Sequence, residues 1–139
     1  MINQRTIYDC GICALAMALD TSYKDITTQW PNEVDGIGVT AQETVKFLVL
    51  NEYKRYKPVL LQTREALAEL DPQAAQRNLF TTSDVKQMCT GLRAILTIKT
   101  SYGELHAVYW NGKQIHDPAR KSPHNWDQYE VLEAVLLME

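Results

Sequence analysis

The sequence predicts an α+β domain, with helices in its N-terminal part packed on a C-terminal antiparallel sheet. Three observations predict it. Residues 9–28 and 40–52 are rich in helix formers and carry helix-start signals. From Leu92 onward the pattern changes, and Leu92-Arg-Ala-Ile-Leu-Thr-Ile-Lys99 contains the β-branched residues that suit a strand. Finally, Asn111-Gly112 separates two strand-like runs, which is the strongest short-range hairpin signal a sequence carries.

The elements follow in order. A first helix is expected over residues 9–20, because Cys10-Gly-Ile-Cys-Ala-Leu-Ala-Met-Ala-Leu19 favours helix and Asp9 is a good N-cap residue. A short polar helix follows near residues 22–28, ended by Trp30-Pro31-Asn32. Asp35-Gly-Ile-Gly-Val is a turn-rich link. It lacks the Lys-Ser/Thr that would make it a phosphate loop. Thr40-Ala-Gln-Glu43 reads as a capping box opening a helix to about residue 52, with Val45, Leu48 and Val49 on one face.

Residues 56–62 suit a strand. Residues 63–76 are helical in composition and broken at Asp71-Pro72, and residues 83–90 form another short helix before Gly91. Residues 129–138 admit either a strand or a helix, since Val-Leu-Glu-Ala-Val-Leu-Leu suits both.

At 139 residues the chain is read as one domain, residues 1–139, long enough to bury about two thirds of its unfolded surface. An apolar content of 45% and a charged content of 22% are those of an ordinary globular protein. The net charge of −3 argues against nucleic acid as a partner, which calls for a basic face. No apolar run approaches the roughly 20 residues of a membrane span, and the N-terminus has no signal-peptide pattern. Three cysteines, two of them three residues apart, do not make a disulfide framework or a zinc knuckle. These features predict a cytoplasmic protein with reduced thiols, no metal and no cofactor.

Chemistry concentrates at the two ends. Cys10 is expected as the first residue of its helix, where the positive end of the macrodipole lowers a thiol pKa. Gly11 beside it leaves room for a substrate backbone. Gln4, six positions earlier, supplies a carboxamide N–H suited to an oxyanion; one such donor contributes roughly 3 kcal/mol in comparable sites. His106 lies on the first hairpin strand. Asp117, near the end of the second and stopped by Pro118, is placed to meet the imidazole Nδ1–H and fix its tautomer. His116 alternates to the other face and falls outside the set. Thiol and base at opposite ends of the chain are what a cysteine hydrolase requires, since they meet in space rather than in sequence.

Each residue has a bland reading as well. Cysteine is among the most buried residue types, a strand histidine among Leu105, Ala107 and Val108 suits a core, and Gln4 suits a surface. The agreement of four residue types, their order and their settings favours the chemical reading. Cys13 is the rival thiol within the motif, one turn into the helix, and Cys89 reads as core.

Gln4…Asp9-Cys10-Gly11 followed by an Ala/Leu/Met-rich helix, then His106-Ala-Val and Asp117-Pro118, resembles the papain-like peptidase family that removes double-glycine leader peptides from bacteriocins. The likeness covers the two motif regions and their order; it is weak over residues 50–90, no transporter follows, and the spacing of eleven from His106 to Asp117 is short. The resemblance implies a papain-like fold, with Cys10 as nucleophile, His106 as base, Asp117 as orienting acid and Gln4 as oxyanion donor. The expected activity is hydrolysis of a peptide or isopeptide bond through a thiol acyl-enzyme, with a peptide or protein as substrate and no partner protein specified. Two alternatives keep the same residues: a non-catalytic module that binds a peptide or host protein, and an acyl transferase.

Overall fold

The structure, a computed structural model, describes residues 2–3, 9–30, 40–51 and 55–139. Gln4 and the Asp35-Gly-Ile-Gly-Val link lie outside the described residues. The fold is α+β, with the N-terminal helices packed on a five-stranded antiparallel sheet of order β1-β5-β2-β3-β4. The strands are β1 (Lys57–Gln62), β2 (Arg93–Lys99), β3 (Leu105–Trp110), β4 (Ile115–His116) and β5 (Glu130–Met138). The ambiguous C-terminal segment is thus a strand, and it lies between β1 and β2 rather than at an edge. With neighbours on both sides and both faces covered, it needs a near-continuous apolar run, which is why its sequence does not alternate cleanly.

Helix α1 (Cys10–Ala18) is buried at every position from Gly11 to Ala18. A helix apolar on all sides is a core helix. It packs with α2 (Tyr23–Gln29) and α3 (Ala41–Leu50) on one face of the sheet, where Ile12, Leu15 and Phe47 share a core with Ile95, Tyr109, Val135 and Leu137. The alternate residues Leu96, Val108 and Leu136 point to the other face. There they meet Val85 and Cys89 of α5 (Thr82–Cys89) and the T-shaped pair Trp110–Trp126. The sheet is therefore covered on both faces, more fully than a layer of N-terminal helices alone would achieve.

Local signals explain most helix starts. Ser22 caps α2 by accepting from the Asp25 N–H, and Thr40 and Glu43 make both bonds of the capping box that opens α3. Thr63 caps α4 (Arg64–Ala68), and Asp71-Pro72 ends that stretch and begins a short 3-10 helix, Pro72–Gln76. Two expectations differ. The buried face of α3 is Thr44, Phe47 and Leu48, with Val45 partly buried, whereas Val49 is 59% exposed. Asp9 precedes α1, but its side chain makes no cap bond. The residue is fully buried, and its carbonyl accepts from the Cys13 N–H at 3.1 Å.

The β3–β4 hairpin pairs Trp110 with Ile115 and Tyr109 with His116. Its turn is centred one residue later than the Asn-Gly reading. Asn111 pairs with Gln114, and its side-chain oxygen accepts from the N–H groups of Lys113 and Gln114 at 2.9 and 2.8 Å. Gly112 takes φ +104, and its oxygen accepts from Gly91 N–H at 3.0 Å. A Cβ there would sit 3.2 Å from the Gly91 carbonyl carbon. The hairpin tip is thereby pinned to the link between α5 and β2.

Among the described residues no helix is long and apolar enough to cross a membrane.

Candidate active site

Strand parity decides which side chains meet. His106 pairs with Ile98 and Val108 with Leu96, so the two side chains share the sheet face covered by α5. Extending the β3–β4 register by one step sets Asp117 opposite Val108. It is thus on the same face as His106 and diagonal to it, within reach of a long side chain. His116, one residue earlier, points to the opposite face. There its ring lies 5.8 Å from that of Tyr109 and its Nε2 lies 3.0 Å from Asn111 Nδ2.

The short β4 also matters. Because it ends at His116, β3 has an open edge beyond Tyr109, and the Ala107 N–H donates there to Cys10 Sγ at 3.4 Å. Helix α1 thus begins at that edge, bringing its first residue to the strand that carries the histidine. Cys10 is the first residue of α1, as its sequence predicts, and is partly exposed, whereas Cys13 and Cys89 are fully buried.

The geometry joins three residues. His106 Nε2 lies 2.6 Å from Asp117 Oδ1, and the Cys10 sulfur, held by the Ala107 N–H next in the strand, is close enough to His106 that the two shift each other's pKa. With Nε2 committed to the carboxylate, the nitrogen left for sulfur is Nδ1. This reverses the expectation that Asp117 meets Nδ1. The reason is reach: the diagonal position of Asp117 leaves a gap that the outer ring nitrogen, Nε2, spans. Asp117 is only 4% exposed, and its oxygens are well supplied. Oδ1 also accepts from the Ala119 N–H at 2.9 Å, and Oδ2 accepts from Tyr129 Oη at 3.1 Å with Arg120 Nε at 3.6 Å.

The electrostatics favour the charged forms of all three groups. Burial pushes the Cys10 thiol up, but hydrogen bonds from His106 and the Ala107 N–H, the imidazolium charge and the Gly11 N–H outweigh it and leave the pKa below 9.0. Burial pulls His106 down, yet Asp117 and Cys10 together raise it from 6.5 to about 9. Asp117 is opposed by burial and held below its ordinary value by His106, the Ala119 N–H and Tyr129. Cys89, by contrast, is pushed up to about 12 by burial and has no such partners. It is an inert core thiol.

Tyr129 and the Ala107 N–H escaped the sequence reading. A backbone donor leaves no residue-type signal, and Tyr129 reaches Asp117 through a turn whose path depends on the whole sheet. Among the described residues no group of three or more His, Cys, Asp or Glu side chains is arranged to hold a metal ion.

Compared with models of known protein families and with curated proteins, the sequence matches none.

Proposed function

We propose that the chain is a cysteine peptidase that cleaves a peptide or isopeptide bond through a thiol acyl-enzyme, with a papain-like arrangement of helix-borne thiol and strand-borne base. One observation carries the reading: a partly exposed thiol at a helix start, held by the Ala107 N–H beside a strand histidine whose Nε2 rests on a buried carboxylate. A histidine that only filled a core would need neither partner charged.

The chemistry follows from that line of three. Proton transfer from Cys10 to His106 gives a thiolate and an imidazolium; Asp117 stabilises the imidazolium and holds the ring in place. The macrodipole of α1 and the Ala107 N–H stabilise the thiolate. The sulfur attacks the carbonyl carbon, forming a C–S bond and an oxyanion, for which Gln4 and a backbone N–H are the proposed donors. Collapse breaks the C–N bond as His106 gives its proton to the leaving amine. His106 then takes a proton from water, whose oxygen attacks the thioester, and the thiol is regenerated with release of the acid.

The resemblance to the double-glycine leader peptidases makes a peptide containing a double-glycine site the first substrate to try. Incubation of such peptides, alongside a mixed library, with the native protein and with Cys10→Ala tests the reading. New N-termini are expected with the native protein alone. Equal cleavage by both proteins would refute the reading, and transfer to an added amine in place of hydrolysis would redirect it to an acyl transferase.

A further inference from the structure

We propose that Tyr129 is a positioning residue for the Cys10–His106–Asp117 site, its phenol holding the Asp117 carboxylate so that Oδ1 stays on the imidazole. The inference rests on the reading of those three residues as an acyl-transfer site. It begins with an inequality between the two carboxylate oxygens. Oδ1 has two strong donors, His106 Nε2 at 2.6 Å and the Ala119 N–H at 2.9 Å. Oδ2 has Tyr129 Oη at 3.1 Å, with the guanidinium of Arg120 farther away at 3.6 Å.

Asp117 stands just past the two-residue strand β4 and begins a turn in which its carbonyl accepts from the Arg120 N–H at 2.9 Å. A turn beyond so short a strand does not hold a side chain rigidly by itself. Tyr129 arrives from elsewhere. It follows the short 3-10 helix Trp126–Gln128 and immediately precedes β5, which lies two strands inward from β3. Its ring is partly buried against the core that contains Trp126 and Val131, and it meets His124 edge-on at 6.3 Å. His124 in turn bridges to Ile115 of β4 through backbone bonds of 2.8 and 2.9 Å. The phenol thus ties the carboxylate to the middle of the sheet.

Among the described residues, the titratable or charged groups facing Asp117 are His106 on β3, Arg120 on its own turn and Tyr129 before β5. Cys10 on α1 acts through His106. Removing the phenol leaves the exposed guanidinium of Arg120, 3.6 Å away, as the remaining side-chain donor for Oδ2. The carboxylate then swings toward Arg120 and loosens from Nε2. His106 becomes less basic, and the Cys10 thiolate loses part of its counter-charge.

The test is the pH dependence of Cys10 alkylation by iodoacetamide, read by peptide mass mapping, which needs no substrate. It is run on the native protein, Tyr129→Phe, Asp117→Asn and the double variant. Tyr129→Phe keeps the ring and its packing. It is expected to move the alkylation midpoint upward, toward 9.0, in the native background and to have no further effect when Asp117 is already Asn. Where a cleavable peptide is in hand, kcat should fall roughly tenfold with KM unchanged, the effect of losing one hydrogen bond to a charged group. An unchanged midpoint, a downward shift, or an equal shift in both backgrounds overturns the positioning role. Absence of peptide cleavage by the native protein bears on the proposed reaction instead, and leaves the alkylation result to decide on Tyr129.

Discussion

His106 Nε2 and Asp117 Oδ1 stand 2.6 Å apart across the mouth of a hairpin whose second strand is only two residues long. The spacing of eleven residues between them is thus enough. A compact turn centred on Gly112 and Lys113 returns the chain at once, and the register places the carboxylate diagonal to the imidazole on the same sheet face. The contact turns the ring so that Nδ1 is left for Cys10. In the proposed reaction this division of the two nitrogens separates the group that moves the proton from the group that stabilises the resulting charge.

Replacing Asp117 with Asn tests that division. The amide oxygen still accepts from Nε2–H and holds the ring, but the charge that stabilises imidazolium is gone. Turnover of a cleavable peptide should fall about 10²-fold or more while KM changes little. A KM effect with unchanged kcat would show that Asp117 serves binding.

The same pair makes a pH-dependent contribution to stability. The folded-state pKa of His106, about 9, exceeds the unfolded value of 6.5. Its contribution is therefore fully present below 6.5 and lost as the pH rises through about 9. Asp117 works in the other direction: its folded pKa is depressed, so its contribution is present above 3.8 and lost as the pH falls through the folded value. Thermal melts of the native protein and His106→Gln should differ most near pH 5–6, and the difference should shrink toward pH 9. A constant difference across that range would show that His106 gains no protonation energy on folding.

Two backbone positions test how the site is supported. Thr63 is fully buried; its hydroxyl donates to the Leu132 carbonyl at 2.9 Å and accepts from the Ala66 N–H at 3.1 Å. Thr63→Ala removes both bonds and should cost about 2 kcal/mol in denaturant unfolding. Gly112→Ala forces a side chain into φ +104 and against the Gly91 backbone, and should cost about 1–3 kcal/mol. The two variants should differ at the site. Gly112→Ala disturbs the hairpin that carries His106 and Asp117 and should slow Cys10 alkylation near neutral pH, whereas Thr63→Ala should leave it unchanged.

Local signals in the sequence reached far because several elements depend on local bonds. The capping box of Thr40 and Glu43 and the break at Asp71-Pro72 are each decided by residues a few positions apart and can be read from them; the hairpin return can be read from Asn111-Gly112 too, although its centre falls one residue later, at Gly112 and Lys113. The C-terminal strand was ambiguous because its form depends on β1 and β2, which pair with it from residues 57–62 and 93–99. Val49 lies outside the buried face of α3 because helical periodicity defines a stripe but not its exact edge, and Asp9 makes no side-chain cap bond because a good capping residue type does not fix where its carboxylate turns.

At the site, the residue types and their settings at a helix start and on a hairpin strand were legible for Cys10, His106 and Asp117. The choice of ring nitrogen is not, since it depends on the strand register that sets Asp117 diagonal to His106. Tyr129 was not legible either, because it is brought to Asp117 by sheet order rather than by spacing.

The rate of Cys10 alkylation as a function of pH, resolved from Cys13 and Cys89 by mass mapping, most directly tests the claim that Cys10 is a nucleophile activated by His106. Cys10 should react first, with a midpoint below 9.0 in the native protein that moves upward in His106→Gln, where the imidazolium no longer opposes burial and only the Ala107 and Gly11 N–H groups do. Preferential labelling of Cys13, or a Cys10 midpoint that stays the same in His106→Gln, would contradict it.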